Sequence, residues 1–305
     1  MTDSVKNIFE HNIKLLGDMD KALYYFREQQ YDRALGLIAD SIDQIKLVIE
    51  AIISNQEYFH VVDTESMLEM LKGLLTSKHN GDFVLLADLL ELQLINFLIG
   101  VQELIIGKEE IIFDEENYRE NIRLLMEHQT GFTDVFQEPI NTAELLKEGY
   151  RVEFTSCGQM TLAAKNDGAE FYFHTNSRIK AEAFLLARNW YQKETRKYIL
   201  YGFGMGYHVY ELRLMAEEAE IEIYEADKNV LQLACAFTDM RELLLKDRIK
   251  LIYDPELKLL EDRINQLDKE ETLIIHYPSY KNIRSSEGRE ILKARLSWAK
   301  AVEAC

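Results

Sequence analysis

The sequence predicts an α/β fold in which an N-terminal all-α helical bundle precedes a small antiparallel β lead-in and a parallel sheet. Residues 1–140 carry apolar side chains at helical spacing almost without a break. Residues 150–174 contain short runs of β-branched and aromatic residues, separated by glycine-containing turns. From residue 197 onward, short apolar runs alternate with helical segments, which is typical of parallel βαβ units. We therefore expect two domains, at 1–140 and 141–305.

The N-terminal region is predicted to contain five or six helices. Asp3 and Ser4 are suited to cap the first helix, and Asp20 to open a separate second one. Residues 25–37 resemble a single tetratricopeptide helix pair, but no second copy follows at a period of about 34 residues, which favours an antiparallel bundle. The helices predicted after the first one are 21–29, 31–59, 64–75, 82–106 and 116–128.

The strands of the second domain are predicted from residue 150 onward. The domain boundary is placed at Glu138-Pro139-Ile140-Asn141, with Asn141 or Thr142 capping a short helix. Three short runs form the antiparallel lead-in, and four apolar runs separated by helical segments form the parallel sheet. The predicted strands are 150–155, 160–164, 170–174, 198–201, 220–224, 249–253 and 272–276.

Charge is distributed unevenly along the chain, whose formal net charge is −18. Residues 1–150 hold 28 acidic and 12 basic residues, whereas residues 151–305 hold 25 and 23. Binding to nucleic acid or to an anionic membrane is disfavoured, because neutralising phosphates requires clustered lysine and arginine. The acidic helical region also supports the hypothesis that the chain is an interaction or scaffold protein.

Two further observations predict a cytoplasmic protein without a membrane span. The most apolar window, 83–106, is interrupted by six polar or acidic side chains, which favours a buried helix. The first residues show neither a basic segment nor an apolar one of the signal-peptide type. The three cysteines, Cys157, Cys235 and Cys305, have no metal-like spacing and are expected to be free thiols in a reducing compartment.

The most informative stretch is residues 197–208, in which an apolar run ends in Gly202, Gly204 and Gly206. A helical segment follows, and the next apolar run ends in Glu225, nineteen residues after Gly206. Strand, glycine turn, helix, strand and acid form the outline of a Rossmann-like nucleotide pocket, in which the acid accepts hydrogen bonds from ribose hydroxyls. The usual dinucleotide spacing is absent, because Tyr207 holds the position of its last glycine. Alternatively, the glycines only permit close packing of helix and strand.

Other candidate site residues follow the later strands. Asp254 either faces an adenine or caps a helix that begins at Pro255. His208, His276, Pro278 and Tyr280 are candidates for a loop on the acceptor side of the pocket, since the carboxyl ends of parallel strands carry the chemistry in such sheets. His208 and His174 are candidates for a general base or for packing. No catalytic residue is identified, and no spacing of cysteine and histidine indicates a metal site.

The turn resembles the nucleotide site of class I methyltransferases. These enzymes have Gly-x-Gly-x-Gly followed by an acid at the end of the next strand, as Gly202–Gly206 and Glu225 do here. The segment Pro278-Ser279-Tyr280 loosely resembles the Asn/Asp-Pro-Pro-Tyr signature of amino-methyltransferases, without its polar first residue. The resemblance implies S-adenosylmethionine as a candidate cofactor and a methyltransferase as an alternative function.

A second resemblance is more extensive and covers about residues 150 to 285. The chain resembles the region that precedes the transferase core in motility-associated-factor (Maf) flagellin glycosyltransferases. Its Gly-Phe-Gly-Met-Gly-Tyr-His turn matches the family's turn, and Glu225-Ala226-Asp227 stands where the family has Glu-Pro-Asp. The segments that carry the resemblance are 156–162, 166–168, 171–174, 182–183, 201–208, 224–227 and 276–280.

The Maf resemblance implies a cytoplasmic protein that acts on flagellin or another surface protein in motility. Family members transfer nonulosonic sugars from CMP-activated donors, so a CMP-sugar nucleotide is the other candidate ligand. The Gly-Ser-Gly-Pro-Ser-type loop of the family's downstream core is not found in this sequence. We therefore expect an accessory Rossmann-like module, with a downstream transferase domain or flagellin as partner. Neither catalytic residues nor an oligomeric state follow from the resemblance.

Overall fold

The computed structural model describes residues 2–109, 114–129, 132, 135–136, 140–245 and 248–303, and it leaves the side chains of 142 and 297–303 undescribed. The fold is mixed α/β and divides into two compact units. Unit 1 comprises Met1–Ile112, Phe154–Gln159 and Ser177–Ala181. Unit 2 comprises Phe113–Glu153, Met160–Asn176 and Glu182–Cys305.

Unit 1 is built from helices, as predicted. Helix α1 is longer than expected, because Asp20 lies inside it and does not open a second helix. The Asp20 carboxylate is buried and binds the Arg178 guanidinium, so it is not available as a cap. Thr2, rather than Asp3 or Ser4, accepts the capping hydrogen bond, from Val5 N at 3.4 Å. The helices are α1 (Asp3–Arg27), α2 (Tyr31–Ser54), α3 (Thr64–His79), α4 (Phe83–Leu89), a π-helical segment (Leu90–Ile95) and α5 (Asn96–Lys108).

A buried polar contact lies within the apolar core of unit 1. The Asn12 side-chain amide donates to Leu98 O at 2.7 Å and to Gln102 Oε1 at 3.0 Å. The Gln102 amide in turn donates to Phe9 O at 3.0 Å. Because a buried amide without partners is destabilising, this contact fixes the register of α1 against α5.

The segment Phe83–Lys108 is one continuous helix of 26 residues that is long and apolar enough to cross a membrane, with a mean hydropathy of 1.9. Within its most apolar window, 39% is buried inside the protein. Leu90, Leu94 and Leu98 contribute this buried face to the unit 1 core. A single helix of this kind is also compatible with a soluble protein.

Unit 2 contains the predicted antiparallel and parallel sheets. The three-stranded sheet has the order β1 (Tyr150–Phe154), β2 (Met160–Asn166) and β3 (Ala169–Tyr172). The parallel sheet has the order β6-β5-β4-β7, and it contains β4 (Lys197–Tyr201), β5 (Glu220–Glu225), β6 (Ile249–Tyr253) and β7 (Glu271–Ile275). Strands β5 and β6 are thus added on one side of β4, and the chain then crosses back to add β7 on the other side. The carboxyl ends of these two strands mark the switch point of the sheet.

The parallel sheet is buried on both faces. Tyr198 and Leu200 belong to one apolar cluster, whereas Ile199 and Tyr201 belong to another, as the alternation of a strand requires. The helices of unit 2 are α6 (Glu115–His128), α7 (Thr142–Lys147), α8 (Ile179–Trp190), α9 (Tyr207–Met215), α10 (Lys228–Phe237), α11 (Arg241–Leu244), α12 (Lys258–Ile264), α13 (Tyr277–Asn282) and α14 (Ser286–Glu303), of which α8 begins in unit 1.

The division between the units falls earlier than the predicted boundary at 138–141. Helix α6 was expected in the bundle but packs within unit 2, where the Asn121 amide donates to Cys235 O at 2.9 Å and to Thr238 O at 2.7 Å. Glu138 and Pro139 lie outside the described residues. Asn141 caps α7, as expected, by accepting from Ala143 N at 3.2 Å.

The two described cysteines are free thiols, which confirms that prediction for them. Cys157 lies in unit 1 and Cys235 in unit 2, and both are buried. Burial raises the pKa of the Cys157 thiol to about 11. The protonated thiols therefore act as small apolar side chains at neutral pH. Cys305 lies outside the described residues.

Candidate functional site

The glycine turn lies at the carboxyl end of β4, where the sequence places it. Gly202, Gly204 and Gly206 have φ angles of +99°, +53° and +81°, a region that side-chain-bearing residues rarely adopt. The Phe203 amide, within the turn, donates to Glu225 Oε2 at 2.9 Å. The structure thus brings together the two parts of the predicted nucleotide pocket.

The Glu225 carboxylate is engaged by the backbone on both of its oxygens. Besides Phe203 N, it accepts from Ala226 N and Asp227 N, each at 3.0 Å. The pKa of this carboxyl is raised to about 7, because burial and the charge of Asp227 raise it by more than the three backbone hydrogen bonds lower it. In this arrangement Glu225 ties the glycine turn to the end of β5.

Side chains of the protein itself approach the glycines closely. A Cβ on Gly202 would lie 2.3 Å from the Ser279 Cβ, and one on Gly206 would lie 2.8 Å from the Phe203 ring. A Cβ on Gly204 would lie 3.2 Å from His174 Nε2. The absence of side chains at these positions therefore makes room for the serine, the phenylalanine and the histidine.

Three histidines meet at the switch point, and we call them the histidine cluster. His174 follows β3, His208 lies in the first turn of α9, and His276 follows β7. Their exposed fractions are only 1%, 0% and 1%. The ring centroids of His208 and His276 are 4.3 Å apart with an interplanar angle of 17°, and the His174 ring lies 5.1 Å from the first and 5.3 Å from the second.

The environment keeps two of these rings neutral. Burial lowers the pKa of His208 well below its usual range, and nearby His174 lowers it further, against the effect of the Gly202 carbonyl. Burial likewise lowers the pKa of His276, with added effects of His208 and His174, while the backbone of Phe173 opposes the change. Neutral imidazoles present lone pairs, which protonated ones lack.

Two rings of the cluster, His208 and His276, have one nitrogen in a hydrogen bond. His208 Nε2 donates to Gly202 O at 3.0 Å, since a carbonyl can only accept. His276 Nδ1 lies 2.8 Å from the Ser279 hydroxyl, and His174 Nδ1 lies 3.6 Å from Glu182 Oε2. Glu182 also accepts from Thr175 N at 2.7 Å. Four ring nitrogens have no hydrogen-bond partner among the described residues: both nitrogens of His174, His208 Nδ1 and His276 Nε2.

The ring nitrogens of the histidine cluster lie close enough together to be candidate ligands of one metal ion. One nitrogen from each histidine can be chosen so that all three lie within 4.8 Å of one another. Aromatic side chains enclose the cluster. The Tyr207 ring meets His174 edge-on with a centroid distance of 5.3 Å, and the Trp190 ring meets His208 edge-on with a centroid distance of 5.6 Å. The histidines are thus shielded from solvent.

The remaining predicted site residues have mainly structural contacts. Asp254 is buried and accepts from Leu260 N at 2.8 Å, so it caps α12, which begins at Lys258 rather than at Pro255. Pro278 lies in the first turn of α13. The Tyr280 ring stacks on Tyr277 at a centroid distance of 6.1 Å.

A polar network beside the site was not predicted from the sequence. Asp227 Oδ2 accepts hydrogen bonds from the Tyr150 hydroxyl and, at 2.6 Å, from the Asn282 amide. Arg284 Nη2 lies 3.2 Å from the same Tyr150 hydroxyl. The position of Asp227, two residues after Glu225 at the end of β5, is the sequence signal that could have pointed to it.

Comparisons with known proteins add no relative to these observations. No family model, no curated protein and no solved structure matches the chain.

Proposed function

We propose that the chain is a Rossmann-like accessory module of a Maf-type protein glycosylation system, acting in the cytoplasm without binding a nucleotide at its glycine turn. The strand order β6-β5-β4-β7, with the turn after β4 and an acid after β5, supports the Rossmann-like identity. The Maf part of the proposal rests on the motif resemblance.

The observation that carries the accessory role is the packing at the switch point. In open α/β sheets, ligands bind outside the carboxyl ends of the strands at this point. Here Ser279 and His174 approach Gly202 and Gly204 within contact distance. A nucleotide phosphate or a methionine group would have to displace these buried side chains to reach the turn.

The state of Glu225 argues against the alternative of an S-adenosylmethionine-dependent methyltransferase. In that alternative its carboxylate would accept hydrogen bonds from two ribose hydroxyls. Both of its oxygens instead accept from backbone amides of the turn and of the segment after β5. Ribose binding would therefore compete with the contacts that hold the turn.

A binding experiment separates these possibilities. Calorimetric titration of the full chain with CMP, a CMP-activated nonulosonic sugar and S-adenosylhomocysteine should give no specific heat at millimolar ligand. Saturable binding of S-adenosylhomocysteine that Gly204→Val abolishes would overturn the accessory role in favour of the methyltransferase. Saturable binding of the CMP-sugar would instead make the module a donor-binding one.

The partner is tested separately. Immobilised full chain should retain purified bacterial flagellin or a Maf-type transferase core above the level of a bead-only control. Glu225→Ala, which releases the turn, should reduce retention if the switch-point region organises the contact. Retention of neither protein would overturn the Maf assignment, whatever the calorimetry gives.

A further inference from the structure

We propose that the histidine cluster binds one divalent transition-metal ion, zinc being the best fit, through His174 Nε2, His208 Nδ1 and His276 Nε2. This inference stands independently of the proposed function, because it concerns the interior of the site and not its nucleotide or protein partners. It begins from the burial of four ring nitrogens, at least one on each histidine, without hydrogen-bond partners among the described residues. Such groups are rare in folded proteins and call for an occupant.

The second nitrogens of His208 and His276 support the assignment. Histidines that ligate metals usually donate their other ring N–H to a carbonyl, a carboxylate or a hydroxyl, which fixes the tautomer and the ring orientation. The Gly202 carbonyl does this for His208 at 3.0 Å, and the Ser279 hydroxyl is placed to do so for His276 at 2.8 Å. Glu182 lies on the outer side of His174, at 3.6 Å.

Glu182 also provides negative charge for a buried cation. Its Oε2 lies 3.6 Å from His174 Nδ1 and accepts a hydrogen bond from Thr175 N at 2.7 Å, so the carboxylate is held beside the cluster. A carboxylate beside a ligating imidazole increases the basicity of that ligand. An imidazole that ligates a metal through its lone pair is neutral and does not offset the charge of the ion.

The donor set selects the class of metal. Three imidazole nitrogens suit zinc, copper, nickel, cobalt or iron, whereas magnesium and calcium prefer oxygen ligands. Two nitrogens on one tetrahedral zinc lie about 3.3 Å apart, given Zn–N distances of about 2.0–2.1 Å. One nitrogen from each histidine lies within 4.8 Å of the other two, so binding requires these nitrogens to move closer together.

The location suggests a structural role for the ion. The histidines belong to the segment after β3, to the helix after β4 and to the segment after β7. All three rings are buried, so an ion among them would be closed off from solvent by Trp190 and Tyr207. It would fasten the antiparallel sheet to the switch point of the parallel sheet within unit 2.

Trp190 offers a direct readout, because its ring contacts His208. The chain has one other tryptophan, Trp298, so the Trp298→Phe variant of the full, tag-free chain leaves a single reporter. Titration with Co²⁺ should quench Trp190 fluorescence with one equivalent per chain and produce visible absorption bands of a nitrogen-ligated ion. Added Zn²⁺ should reverse both signals.

Matched variants locate the ion. His174→Gln and His276→Gln should each weaken Co²⁺ binding at least 100-fold, whereas His60→Gln, at an exposed histidine, should leave it unchanged. Glu182→Gln removes a charge without removing a ligand and should weaken binding about 10-fold. It also serves as the informative variant if a histidine variant fails to fold.

The proposal is overturned if the parent protein binds no stoichiometric Co²⁺ or Zn²⁺ at millimolar metal. It is also overturned if His60→Gln removes the binding, or if folded Glu182→Gln and His276→Gln proteins bind as tightly as the parent. In each of these cases the cluster is a stack of neutral rings that only packs.

Discussion

The two units differ in how their buried ionisable side chains are partnered. In unit 1, a buried carboxylate, Asp20, is matched by the guanidinium of Arg178. In unit 2, burial lowers the pKa of His208 and of His276, and four ring nitrogens of the histidine cluster have no hydrogen-bond partner among the described residues. The first arrangement pairs opposite charges, with Arg178 Nε left without a hydrogen-bond partner among the described residues. The second leaves at least one nitrogen of each ring available to a ligand.

The largest expected effect concerns the ion pair of unit 1. Asp20→Ala leaves the Arg178 guanidinium without its carboxylate, so the free energy of unfolding should fall by about 3 kcal/mol. Urea denaturation measures this. The double variant Asp20→Leu, Arg178→Met should recover most of the loss, because it removes both charges. Asp40→Ala, at an exposed site on α2, is the control and should change stability by less than about 0.5 kcal/mol.

A pH effect of similar size is expected from Glu225 in unit 2. Its pKa is raised to about 7, so its protonated form favours folding. The resulting stabilisation is present at pH values below the ordinary pKa of a glutamate and is lost as the pH rises through about 7. Relative to Glu225→Gln, the wild-type protein should lose about 3 kcal/mol between pH 4 and pH 8.

Denaturation of both proteins at several pH values tests this prediction. Glu217→Gln, at an exposed site, should follow the wild-type curve. Parallel curves for wild type and Glu225→Gln would mean that the backbone hydrogen bonds keep this carboxylate ionised.

The smallest effect tests how tightly the histidine cluster is packed against the turn. Gly204→Ala should destabilise the protein by about 2 kcal/mol, because alanine is strained at a φ of +53° and its Cβ meets His174 Nε2. Gly168→Ala is the matched control, since Gly168 has a φ of +78° with no other atom near its Cβ position. The free energy of unfolding of this control should fall by only about 1 kcal/mol, from backbone strain alone. Equal losses of stability in the two variants would show that the histidine cluster moves readily to make room for the new Cβ.

Much of the fold could be predicted from local sequence. The strand β4 is recognisable because Tyr198–Tyr201 is buried on both faces and therefore apolar throughout. The hairpin between β2 and β3 is recognisable because Asn166-Asp167-Gly168 supplies two residues with positive φ. The continuation of α1 through Asp20 was not predictable, since the partner of Asp20, Arg178, is 158 residues away in sequence.

The candidate site was predictable only in part. The turn and Glu225 could be paired from the sequence, because consecutive parallel strands usually lie side by side. The convergence of His174, His208 and His276 depends on β7 lying next to β4, which no local spacing encodes. Their shared position, each just after a strand or the glycine turn, is the only sequence signal that the three have in common.

The π-helical segment Leu90–Ile95 has a consequence for the far end of its helix. Such a segment accommodates one residue more than an α-helix of the same rise. Every side chain from Asn96 to Lys108 is therefore turned by about 100° from the direction that an uninterrupted α-helix would give it. In this turned direction Gln102 Oε1 accepts a hydrogen bond from the Asn12 amide at 3.0 Å. A one-residue deletion in the segment would thus rotate the rest of the helix about its axis. The hydrogen bond between Asn12 and Gln102 would be lost although neither residue is altered.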